Sequence, residues 1–227
     1  MKKGLTEVVF ILDRSGSMSS LTEDTIGGFN SFVEKQKEED GECHLTTVLF
    51  DDKYELLHDH IDIQEVEELT NKEYFARGMT ALLDAVGRTI NTVGDRLAKT
   101  DEDERPEQVI VVITTDGQEN SSHEFAADAI KKMVSEQEDT YKWRFLFLGA
   151  NIDAFAEGGN LGFAMANTAQ YDASAMGTRA LYSSVTNFVS DSRSGDLDTS
   201  RSLTDYMTTA TTEVKKTKKK TSVKQPS

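Results

Sequence analysis

The chain begins with a short polar lead and then a run of apolar residues, "VVFIL", that stops abruptly at Asp13. An uninterrupted apolar run predicts a strand covered on both faces, over residues 6–12. The period then changes. Ile26, Phe29, Phe32 and Val33 return at helical intervals, and Ser20 and Glu23 have capping-box spacing, which together predict a first helix. Gly27 and Gly28 count against it, at about 1 kcal/mol each in a helix interior. Residues 43–50, "CHLTTVLF", read as a second strand. "YELLHDHIDI", residues 54–63, follows a tight "DDK" turn and reads as a short antiparallel strand at the sheet edge.

Leu82, Leu83, Val86, Ile90, Val93 and Leu97 then line one stripe of a long amphipathic helix that opens near Thr80. "EQVIVVITTDG" is a second fully buried strand, and Ser121 and Glu124 repeat the capping-box spacing ahead of a helix over residues 125–134. "KWRFLFLGA" predicts the next strand and "LGFAMAN" a shorter one, with a last helix over residues 173–191 behind an Asp172 cap. Strands alternating with helices predict an α/β fold: a doubly wound, mostly parallel six-stranded sheet with helices on both faces. Residues 1–192 form this domain, 193–210 are an ambiguous extension, and the Lys-rich 211–227 reads as a disordered tail.

Composition narrows the setting. The chain of 227 residues carries −15 overall, but its last 17 residues hold six Lys and one Glu, so the tail carries +5 and the rest −20. Such a body repels nucleic acid, and only the tail would attract it. No apolar run is long enough to span a bilayer, so no membrane insertion is expected. Lys2 and Lys3 precede "VVFIL", but Asp13 ends that run too early for a signal-peptide core. The single cysteine, Cys43, excludes an internal disulfide. These readings place the protein in the cytoplasm.

In such sheets ligands bind at the carboxyl ends of the strands. Asp13, Ser15 and Ser17 follow the first strand there, Thr80 stands at the mouth of a helix, and Asp116 lies just past another buried strand. Turn and capping chemistry explains Asp13, Ser15 and Ser17 alone. All five together supply two carboxylates and three hydroxyls, a set of hard oxygens suited to Mg²⁺, with no soft ligand for zinc. Two Asp neutralise a divalent ion and hydroxyls add no charge, so the metal would stay electrophilic and favour a carboxylate from a partner protein.

Asp13-x-Ser15-x-Ser17, Thr80 in "GMTALLDA" and Asp116 in "TTDG" resemble the metal-ion-dependent adhesion site (MIDAS) of the von Willebrand factor A-type (vWA) domain. The order of strands and helices agrees from about Thr6 to Asp191. The resemblance implies a Rossmann-like sheet with one antiparallel edge strand and a Mg²⁺ or Mn²⁺ on its top face. Ser15, Ser17 and Thr80 would be hydroxyl ligands, Asp13 and Asp116 would bind directly or through water, and a partner Asp or Glu would complete the coordination. The chain looks closest to single-domain intracellular members of that family.

Other residues draw plainer readings. His58 and His60 share one face of the edge strand but lack a third ligand, so they read as solvated strand residues. His123 and Glu119 follow Asp116 and read as helix-entry residues rather than a general base. Cys43 reads as buried, and Met165 and Met176 as core filler. The function expected is a metal-dependent protein-binding module and not an enzyme. A Mg²⁺-dependent hydrolase with Glu119 or His123 as base is the alternative, along with tail-mediated binding of nucleic acid or an anionic partner. Three acidic segments, residues 37–42, 100–107 and 135–140, belong to the lower loops. The last helix should end beside them, which would let the lysine tail dock on its own domain.

Overall fold

A computed structural model describes residues 1–150, 152–197 and 200–222. Its sheet has the strands β1 (Lys2–Asp13), β2 (Glu42–Phe50), β3 (Tyr54–Asp62), β4 (Pro106–Thr115), β5 (Arg144–Ala150) and β6 (Thr168–Tyr171). Their order is β3-β2-β1-β4-β5-β6. All neighbours run parallel except β2 and β3, which makes β3 the antiparallel edge. Among the described residues six α-helices surround it: α1 (Thr22–Lys37), α2 (Leu82–Lys99), α3 (Ala127–Tyr141), α4 (Ala154–Asn160), α5 (Ala175–Ser194) and α6 (Leu203–Ser222).

The continuous apolar run of β1 serves two cores. Val8, Phe10 and Leu12 pack on one face with side chains of α1, α5 and α6, while Val9 and Ile11 pack on the other with α2 and α3. Strand order reverses between β1 and β4, which places the crevice of the fold above those two strands. Gly28, a residue that weakens α1 by propensity, has a packing reason. The Tyr182 ring of α5 occupies the space its Cβ would take, 2.1 Å from Cδ2, so a larger residue would push the helices apart.

Several local expectations are corrected. A 3-10 turn, Gly16–Leu21, intervenes before α1, so Ser20 lies inside that turn and Leu21 caps α1 without a side-chain bond. The second capping box also fails: α3 starts later, behind Ala126. Residues 121–126 are a loop instead, and Asp84 of α2 accepts the backbone N–H groups of His123, Glu124 and Phe125. Ser174, not Asp172, caps α5, accepting from the Gly177 N–H. The short strand is Thr168–Tyr171, just beyond "LGFAMAN", and Met165 is exposed rather than core filler. The acidic residues 135–140 are the last turns of α3 rather than a loop.

The largest difference lies past residue 193. Leu203, Tyr206, Met207 and Ala210 recur at helical spacing and are buried against the α1/α5 face, so this segment belongs to the domain. α6 continues as helix to Ser222 where a disordered tail was expected; residues 223–227 lie outside the described residues. α5 does end at the lower face, where the Arg193 guanidinium donates to the carbonyls of Gln36 and Gly41. α6 then turns back along α5. Tyr206 donates to Asp191, and Met207 meets Ser184 nearly two turns higher on α5. The docking expected of the lysine tail turns on side chains from residue 217 onward, which lie outside the described residues.

The edge strand also departs from a regular ladder. The register slips on both sides of Thr47, and His60 sits at φ 53° in a bulge. His58 therefore pairs with Thr47 and stacks on Phe29 of α1, while His60 turns to the opposite face and bonds Glu7. The two imidazoles do not share a face.

Candidate metal site

β1 delivers Asp13 to the top of the sheet with no exposed surface. Its Oδ1 accepts the Ser15 N–H at 2.7 Å and its Oδ2 accepts the Thr115 hydroxyl at 2.6 Å. Burial pushes the Asp13 carboxyl up to about 6; the bonds from Thr115 and Ser15 pull it down, and neighbouring Asp116 adds repulsion. Its partners are neutral donors, so the ionised form is under-stabilised without a cation. Burial likewise raises Asp116, against the bond it accepts from Ser17.

The remaining residues converge on the same point. Ser15 Oγ and Ser17 Oγ are 3.0 Å apart, and Ser17 donates to Asp116 Oδ1 at 2.6 Å. Thr80 arrives from a long connection across the top. A Cβ placed on Gly117 would lie 3.1 Å from Thr80 Oγ1 and 3.6 Å from Ser17 Oγ. Two hydroxyls thus face one small volume beside Asp116 that a side chain at Gly117 would crowd. A hard cation fits this donor set. Among the described residues no cluster of three or more His, Cys, Asp or Glu could hold a metal, so the histidines of the edge strand offer no rival centre.

The Thr80 connection is pinned at many points. Tyr74 donates to the Asp13 carbonyl at 2.5 Å. Arg77 N–H bonds the Arg14 carbonyl, and Gly16 N–H bonds the Gly78 carbonyl. Gly78 has φ +67°, a conformation that demands glycine. Thr80 and Asn120 exchange bonds, the Thr80 N–H to Asn120 Oδ1 and the Asn120 N–H to the Thr80 carbonyl.

Beneath this connection lies a buried ion cluster that the motif does not include. Arg14, almost wholly buried, donates to Asp51, Glu55 and the Glu73 carbonyl. Asp51 also accepts from Arg77 at 2.7 Å. Burial raises the Asp51 carboxyl, but Arg77, the Lys53 N–H and Arg14 outweigh it and hold it below the usual carboxylate range. Thr115, Asn120, Arg14 and Asp51 were all missed from sequence. The signal available was a charged residue within "LDRSG" and a paired Asp after β2, which reads locally as turn chemistry.

Glu119 and His123 lie in the loop between Asp116 and α3 rather than at a helix entry. Glu119 accepts from the Leu83, Ser121 and Ser122 N–H groups and from the Ser122 hydroxyl, which ties the loop after Asp116 to the start of α2. Its carboxylate is occupied by donors. His123 gives its N–H to Asp84. Cys43 is buried.

No family model and no curated protein sequence matches the chain. Solved structures do. The vWF domain of the type V pili tip protein Mfa5 from Porphyromonas gingivalis matches at a TM-score of 0.59 and 10% identity, over 85% of this chain and 96% of its own. Proximal thread matrix protein 1 from the mussel byssus, with a zinc-occupied MIDAS motif, matches at 0.57 and 15% identity, over 82% of this chain and 46% of its own. A von Willebrand factor type A protein from Catenulispora acidiphila matches at 0.54 and 13%, over 81% and 42%. This chain therefore spans less than half the length of the last two. Sheet order, the antiparallel edge and these superpositions agree: the chain has the fold of the von Willebrand factor A-type domains.

Proposed function

We propose that this protein is a cytoplasmic metal-dependent protein-binding module. Asp13, Ser15, Ser17, Thr80 and Asp116 hold a Mg²⁺ or Mn²⁺, and a partner protein supplies an Asp or Glu carboxylate to it. The observation that carries this reading is the small volume beside Gly117, where the Thr80 and Ser17 hydroxyls meet next to Asp116. A bound divalent ion supplies an electrophilic centre for an anionic oxygen. The chain supplies the rest. Asp13 is oriented by Thr115 and Ser15, Thr80 is fixed by Asn120, and the three hydroxyls add no charge to that of the two Asp.

Against the hydrolase reading stands Glu119, whose carboxylate is committed to four donors rather than aimed at water. Tail-mediated binding finds some support in the helical form of residues 211–222, but nothing beyond charge points to its ligand. The single buried cysteine accords with a reducing compartment.

Calorimetric titration of metal-stripped protein with Mg²⁺, Mn²⁺ and Zn²⁺ tests the site. One-site binding that Thr80→Ala and Ser17→Ala weaken at least tenfold is expected. Binding that both variants leave unchanged would place the metal elsewhere. Capture of protein partners in Mn²⁺, released by EDTA, then tests the carboxylate step.

A further inference from the structure

Asp13, Ser15, Ser17 and Asp116 stand at or just past the ends of β1 and β4, whereas Thr80 belongs to an irregular connection, residues 66–81. Where such a stretch places a hydroxyl depends on what ties it down. Asp51 ties it on both sides of Thr80. Its Oδ2 accepts from Arg77 Nε at 2.7 Å, and its carbonyl accepts the Ala81 N–H at 2.9 Å. The same Oδ2 accepts from Arg14 Nε at 3.0 Å.

Arg14 is the residue between Asp13 and Ser15, and it holds the connection as well. Its carbonyl accepts the Arg77 N–H at 2.8 Å, and its Nη1 donates to the Glu73 carbonyl at 3.3 Å. The turn that carries Asp13, Ser15 and Ser17 is thereby joined to the segment that carries Thr80. Both side chains are buried, Arg14 at 1% exposure and Asp51 at 0%. A buried ion pair adds little net stability over apolar groups of the same volume, whereas its bonds are directional. Arg14 and Arg77 balance Asp51 and Glu55, with Glu55 2.7 Å from Arg14 and 4.0 Å from Arg77. The four charges together exert little net field on a cation, so what they supply is geometry.

Resting on the metal-site reading, we infer that Asp51 is a positioning residue for the metal. Backed by Arg14, it holds the Thr80 hydroxyl against the turn of Asp13, Ser15 and Ser17 and thereby sets the affinity of the site. A connection free to wander would lose the contact of a neutral hydroxyl to its own ordering entropy.

Charge changes of opposite sign test this. Mn²⁺ binding to the full chain is measured by calorimetry for wild type, Asp51→Asn and Arg77→Gln, each alone and combined with Thr80→Ala. Asp51 Oδ1 accepts the Lys53 N–H while Oδ2 serves the two guanidiniums, and an amide, with one acceptor oxygen, cannot serve both sets. Asp51→Asn removes a negative charge and Arg77→Gln a positive one, so a field effect would weaken binding in the first and strengthen it in the second. Positioning weakens both, by about tenfold for Asp51→Asn and about threefold for Arg77→Gln, which leaves the pair of Arg14 and Asp51 intact. Neither change should weaken binding further once residue 80 is alanine. Amide exchange in the metal-free variants should quicken over residues 74–81 and stay unchanged in β1 and β4. Arg77 is part-exposed, so Arg77→Gln decides the sign by itself should Asp51→Asn not fold.

Stronger binding by Arg77→Gln, or losses that multiply with that of Thr80→Ala, overturn the inference. Affinities unchanged within about twofold in both single variants overturn it too and leave the metal site standing. Wild type that binds no Mn²⁺ overturns the metal site and this inference together.

Discussion

Glu7 and Asp13 sit six residues apart on the same strand, and neither carboxylate has exposed surface. Their environments drive them in opposite directions. At Glu7, burial raises the pKa, but bonds from His60 and Arg96 and the Arg96 charge overcome it and bring the group down to about 2. Arg96 meets it with two nitrogens, at 3.0 and 2.5 Å, and Thr46 adds a hydroxyl at 2.9 Å. At Asp13 burial wins and the group rises to about 6, because its donors are a hydroxyl and a backbone N–H. One carboxylate has its cation built into the chain and the other does not. The contrast separates a structural acid from a site acid on one strand, with burial held constant.

The sharpest way to break this comparison is Glu7→Ala. It leaves Arg96, 21% exposed, with the half-exposed Asp59 at 3.4 Å as its remaining carboxylate, and should cost about 3 kcal/mol, read by urea denaturation. A loss under about 1 kcal/mol would show that the pair is no more than a surface bridge.

Acid should report the same group. The folded pKa of Glu7 lies below its unfolded value near 4.5, so its contribution is complete above 4.5 and is lost as pH falls toward 2. That contribution is on the order of 3 kcal/mol, and Glu7→Gln should flatten this part of the stability profile.

Asp13→Asn should act in the other direction. In metal-free protein at pH 7 it removes a buried charge that has no cation, and should raise stability by about 1 kcal/mol while abolishing Mn²⁺ binding. Loss of stability there would mean that Asp13 is structural after all. The smallest effect belongs to Asn120→Ala, which frees the Thr80 backbone and should weaken Mn²⁺ binding about threefold without moving the melting temperature by more than a few degrees.

The top of the sheet was legible because its information is local. Asp13, Ser15 and Ser17 lie in one turn, Thr80 stands just before a recognisable helix and Asp116 just after a recognisable strand, which brings them to the same edge. Elements governed by contacts far along the chain were not legible. Ser20 with Glu23 and Ser121 with Glu124 have the right spacing for caps, yet bonds from Gly78, Asp84 and Glu119 fold those stretches as loops or a 3-10 turn. His58 and His60 alternate properly for one face until a bulge, whose His60 ring bonds Glu7, separates them. The α6 stripe of Leu203, Tyr206, Met207 and Ala210 was visible, but the lysines that follow it dominate the local composition. Charge at one end of a helix says little about the apolar face at the other.

Gly117 gives the cell biologist a handle. Its backbone is not in the left-handed region, so alanine suits its conformation, yet the methyl group would press to 3.1 Å from the Thr80 hydroxyl. A Gly117→Ala protein would keep every charge while crowding the Thr80 hydroxyl at the site. Expressed beside the native chain, it would act as a silent twin that separates what the cell asks of the bare domain from what it asks of the filled one.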